Sequence, residues 1–184
     1  LYKAHPTKET AAGLAQLYLQ MKNPDKFLVY AARVVAEFPI EQSYPVALQM
    51  AEVYIQRQNI PRAIELFSKV METYGDKVPS NLKEWEWNRT RAAVYDVMAR
   101  DAYAKKDCAK TVDFYGKVAS YAPKTADAHY YIGMCKWKEK DQAGAIPYFA
   151  KAAVLGQNIS PKAKDYLEQL WKAEHNNTLD GLDA

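Results

Sequence analysis

An all-α stack of helix–turn–helix repeats, closed by a C-terminal capping helix, is the fold class this 184-residue chain predicts. Three observations carry the expectation. A small residue recurs four times with a fixed pattern downstream of it, the signature of a repeat architecture. Each copy ends in or near a helix breaker. Only 7 glycines are present, which leaves little room for the tight turns of an all-β protein or for phosphate-cradling loops.

The register is set by Ala15, Ala51, Ala99 and Gly133, spaced by 36, 48 and 34 residues. Eight residues after each comes Asn23, Asn59, Asp107 or Asp141. Their side chains suit a turn, where they cap the first open N–H groups of the next helix. Pro24 follows one of them, at a position a helix start tolerates. Twelve residues after each small residue stands Phe27, Ala63, Thr111 or Ala145; four further on comes Ala31, Phe67, Tyr115 or Phe149, and then Val34, Val70, Val118 or Ala152. Residues three and four apart share one helix face, so these slots form the packed side of a second helix. In the first copy Phe27 and Ala31 reverse the small-then-large order, a size exchange across one contact that preserves volume. Pro39, Gly75, Pro123 and Gly156 close the copies.

This pattern resembles the tetratricopeptide repeat (TPR) family, in four copies at about 8–41, 44–77, 92–125 and 126–159. The tyrosine that family places three residues after the small slot stands at Tyr18 and Tyr54, and is replaced by Ala102 and Lys136. The resemblance implies one repeat domain over 1–184, a right-handed superhelical stack, and a concave face built by the first helices that holds a partner peptide or helix.

Two segments depart from the repeat. Residues 78–91 form a 14-residue insert without a breaker after Asn81, which predicts one long first helix of about 25 residues, about 37 Å at 1.5 Å per residue, or else a kinked or separate short helix. Trp85 lies close to four turns before Ala99 and is expected on that helix's packed face; Trp87, about 200° away, is not. After the last copy, Ser160-Pro161 starts a capping helix over about 161–175, with Ala163, Tyr166, Leu167, Leu170 and Trp171 as its apolar stripe. The tail from Asn176 is polar and expected to be loose.

Chemistry is sparse. His5, His129 and His175 are dispersed, and His129 has no metal-ligating partner three or four residues away, so it reads as a packing residue and no metal or cofactor is expected. Cys108 and Cys135 make neither a disulfide framework nor a zinc set, and both read as small apolar packing residues. Without a convergent reactive group, an enzyme is not expected. The net charge of +3 comes from 25 basic and 22 acidic residues with only short cationic runs, which disfavours nucleic acid. No 18-residue apolar window predicts a membrane span. No leader is visible, and the chain opens at Leu1, so localisation stays open.

Placed in this register, the inward stripe comprises Gln16 and Gln20, then Leu48, Glu52 and Gln56, then Asp96, Arg100 and Tyr103, and finally Tyr130, Met134 and Trp137. Ala12, Gln16 and Gln49 occupy slots where the chaperone-adaptor members of the family carry a carboxylate clamp, so an apolar peptide or helix is the expected occupant. The expected role is an adaptor or scaffold that binds a protein segment. The alternatives are a structural, self-associating subunit, or an aromatic end covered by the chain's own tail.

Overall fold

The computed structural model describes residues 8–75 and 77–182; His5 lies outside them. All regular structure among the described residues is helical. Chain contacts divide it into two compact units, residues 1–83 and 84–184. The first unit contains α1 (Lys8–Gln20), α2 (Pro24–Glu37), α3 (Ile40–Gln56) and α4 (Ile60–Tyr74). The second contains α5 (Glu84–Ala104), α6 (Cys108–Tyr121), α7 (Ala126–Lys138), α8 (Gln142–Val154) and α9 (Ser160–Glu174). Successive helices pack as hairpins within each unit.

One turn is used in all four repeats. Asn23, Asn59, Asp107 and Asp141 each accept the N–H three residues on, from Lys26, Arg62, Lys110 and Gly144, which satisfies an open helix donor. The residue before each cap, Lys22, Gln58, Lys106 or Lys140, is left-handed with φ between 52° and 66°. The cap's own N–H donates back to Tyr18, Tyr54, Ala102 or Lys136, which closes the preceding helix. Above the turns, the small residues admit the second helices. Ala51 and Ala99 are fully buried and Ala15 nearly so. A Cβ on Gly133 would lie 3.1 Å from the Phe149 ring. Phe27 with Ala31, Ala63 with Phe67, Thr111 with Tyr115, and Ala145 with Phe149 are all buried, so the exchanged order in the first repeat packs as well as the others.

Pro45 sits inside α3, where it cannot donate to the Glu41 carbonyl. The Tyr74 hydroxyl donates to that carbonyl instead, at 3.1 Å.

The insert joins α5 only from Glu84 onward, so the single helix has 21 residues rather than about 25, and the two tryptophans are reversed from the expectation. Trp87 is fully buried, while Trp85 is 61% exposed. The buried stripe of α5 runs through Trp87, Arg91, Val94, Tyr95, Met98 and Ala102. Ala99 lies at its edge. α6 ends at Tyr121, level with Arg91 and Tyr95 (4.9 and 6.2 Å to its ring). Trp85, about 200° from Trp87 around the helix, lies off that stripe.

The cysteines are a second correction. Cys108 and Cys135 form a disulfide with Cα atoms 5.3 Å apart, and tie the first residue of α6 to α7. The tail is a third. Among its described residues, Trp171 stacks on His175 and donates to the Asp180 carbonyl, and Leu182 packs against the α7–α9 core.

Candidate functional site

In the first unit a groove of about 320 Å³ is edged by Tyr18 and Leu19 of α1 and by Gln49, Glu52 and Gln56 of α3. Glu52 and Gln56 are exposed there, as the register predicts, and Gln16 and Gln20 are exposed on α1. Tyr18 stacks on Tyr30 at 5.5 Å.

In the second unit the first-helix face is charged at one end and aromatic at the other. Arg100 reaches Asp96 at 2.9 Å along α5 and Asp127 at 3.5 Å across to α7. Its side chain remains 61% exposed, so these are solvated pairs of modest energy. Beside them Tyr131 stacks on the buried Tyr115 at 5.4 Å and tilts onto Tyr103 at 4.7 Å. The Lys138 ammonium lies 4.0 Å from the Tyr103 ring centre, within cation–π range. Further along, Trp137 meets Tyr166 of α9 at 5.3 Å. Burial raises the Tyr115 phenol above its ordinary range, with Asp96 adding to the effect. Burial also raises Tyr131, with Asp127 adding to it.

The structure divides the predicted stripe. Asp96, Arg100, Tyr103 and Trp137 stand at the surface or half-buried, whereas Tyr130 and Met134 are core residues, 2% and 7% exposed. The expectation that all three aromatic-end residues lie open is corrected for these two. They occupy the slots that Asp96 and Arg100 hold one repeat earlier; the difference lies in what covers them. The apolar stripe of α9, with Ala163, Leu167 and Leu170, closes over Tyr130, Met134 and Phe149. Apolar side chains gain by that cover, and a charged pair would lose its water. Tyr130 and Met134 are thus covered from within the chain, by the capping helix α9 rather than by the tail weighed from the sequence.

Tyr131, Asp127 and Lys138 were not singled out by the sequence. Their signal is a cross-repeat register. The residue four after a small slot meets the residue two before the next one: Tyr103 with Tyr131, and Leu19 with Gln49 on the same groove. That register spans two repeats and is absent from the spacing within either one.

His129 is a packing residue, tilted against Tyr148 at 6.4 Å with Nε2 3.3 Å from the Pro123 carbonyl. It lies in a wider groove of about 610 Å³ between α6 and α8. Among the described residues, no three His, Cys, Asp or Glu side chains converge as a metal-holding group, and no helix is long and apolar enough to cross a membrane.

No protein-family model matches the chain, and no curated protein matches it. Solved structures do. A crystal structure of MamA protein superposes with a TM-score of 0.60 at 13% identity, over 92% of this chain and 84% of that one. The AMB-1 form of MamA gives 0.61 at 15% over 92% and 84%, and a MamA RS-1 double mutant gives 0.59 at 16% over 92% and 86%. At such identities the likeness bears on architecture alone: the chain has a TPR-like helical-repeat fold.

Proposed function

We propose that this chain is a non-enzymatic scaffold module that binds a segment of another polypeptide on the first-helix face of its second unit. The observation that carries this reading is the half-open aromatic path through Tyr103, Tyr131, Trp137 and Tyr166, flanked by Arg100 and Lys138. Tyrosine, tryptophan and arginine dominate interface energetics because they present large, rigid, amphipathic area. These side chains sit on helices rather than loops, so little ordering cost is met on binding. The TPR-like architecture of the MamA structures supports the reading at the level of fold.

The test is capture of partner proteins by the full chain and by a Tyr103→Ala/Trp137→Ala variant. Both residues are partly exposed, so the variant is expected to keep its helicity and melting temperature while its capture falls by 30-fold or more, as loss of a central anchor implies. Unchanged capture by a stable variant would remove the proposal.

A second reading, self-association, rests on α1. Leu17 and Met21, four residues apart on one face, are 46% and 62% exposed. Light scattering over a hundredfold concentration range separates the two readings: a constant monomer mass rejects self-association.

A further inference from the structure

Cys108 and Cys135 come from different repeats, 27 residues apart in sequence, one from the second helix of the third and the other from the first helix of the fourth. The two sulfurs have unlike surroundings. Cys108 is the first residue of α6, directly after the Asp107 cap, and is half-buried. Cys135 is fully buried in α7.

Thiol–disulfide exchange proceeds by attack of a thiolate on one sulfur with expulsion of the other as thiolate. An outside thiolate can approach only Cys108. That attack would expel the Cys135 thiolate into a site closed to solvent, where it lacks the solvation that stabilises the charge. Attack on Cys135 would expel the better-placed thiolate, on a helix N-terminus, but Cys135 offers no surface for approach. The reachable sulfur thus carries the poor leaving group, and the good leaving group stands opposite an unreachable sulfur.

We propose that the Cys108–Cys135 disulfide is a permanent cross-link between the third and fourth repeats, made during folding and then closed to exchange. Its formation is an oxidation of two thiols by a disulfide-bearing oxidant: two Cys–SH and one R–S–S–R give the protein disulfide and two R–SH. The two hydrogens and two electrons pass to the oxidant. This chemistry belongs to a compartment that supplies such an oxidant. The bond ties α6 to α7, so it holds the third and fourth repeats in register.

The experiment uses the full chain refolded with oxidised glutathione. It is exposed to millimolar reduced glutathione at neutral pH, quenched with iodoacetamide at intervals and weighed by mass spectrometry. The native protein is expected to retain the bond at least a hundredfold longer than the same protein in guanidinium. Free thiols after oxidative refolding, or native reduction within tenfold of the denatured rate, would overturn the proposal. Separately, a Cys108→Ser/Cys135→Ser variant is expected to keep its helicity and to melt roughly 10 °C lower or more, as loss of a loop of this size implies. An unchanged melt contradicts the structural role. The exchange comparison needs no variant, so a failure of the variant to fold leaves the proposal open to refutation.

Discussion

Leu167→Ala combined with Leu170→Ala tests the capping helix at its contact with the repeats. The two side chains are 8% and 5% exposed and face Tyr130, Met134, Phe149 and Ala152. Truncating one buried leucine costs about 2–5 kcal/mol, the lost transfer energy plus the cavity left behind. The two share neighbours, so their costs do not simply add, and about 4–6 kcal/mol together is a fair expectation. A chain of 184 residues has about 5–15 kcal/mol in total and loses roughly 2–4 °C per kcal/mol, so the melt should fall by roughly 10 °C or more. Circular dichroism reads the helices, and near-ultraviolet signal reads the tyrosines as their cover is lost. Lys164→Ala is the control on the same helix; its side chain is 68% exposed, and it should change stability by less than about 0.5 kcal/mol. If the double variant melts within 3 °C of the parent, α9 does not close the core and Tyr130 would be open for binding after all.

Trp85→Phe should remove most of the iodide-quenchable tryptophan emission of the insert, whereas Trp87→Phe should leave it, because their exposures are 61% and 0%; equal quenching of the two would contradict the helix frame. Lys106→Gly and Lys140→Gly, at left-handed φ of 62° and 66°, should each stabilise by about 0.5–1 kcal/mol in urea unfolding, and destabilisation would show that the lysine side chain matters more than its backbone. In acid, Asp107 and Asp141 are held below the ordinary carboxylate range, the first mainly by the Lys110 N–H and the second mainly by the Lys136 side chain. Their contribution is present above the unfolded value near 4 and is lost as pH falls through the lower folded value, which a pH series of melts on Asp107→Ala should show as a flatter acid limb. In alkali the sign reverses. Burial raises the phenols of Tyr115 and Tyr130, so above about pH 10 the unfolded chain ionises first and stability declines; phenolate absorbance should appear only with unfolding for these two.

Much of this molecule was legible in the chain. The caps at Asn23, Asn59, Asp107 and Asp141, the small slots closed by Phe67, Tyr115 and Phe149, and the start of α9 near Ser160 are local consequences of side-chain size and hydrogen-bonding reach. A single repeat's spacing is enough to state them. Exposure of Arg100 and Trp137 also followed from the helix frame. The tertiary structure decided the rest, for one physical reason: burial depends on the neighbour, which spacing within a helix does not contain. Tyr130 and Asp96 hold the same slot, yet α9 closes over one and water remains at the other. Trp85 and Trp87 differ because they lie about 200° apart around α5 and the buried stripe passes through Trp87. Cys108 and Cys135, unremarkable in separate repeats, become a covalent pair only when the packing of α6 on α7 brings their Cα atoms to 5.3 Å.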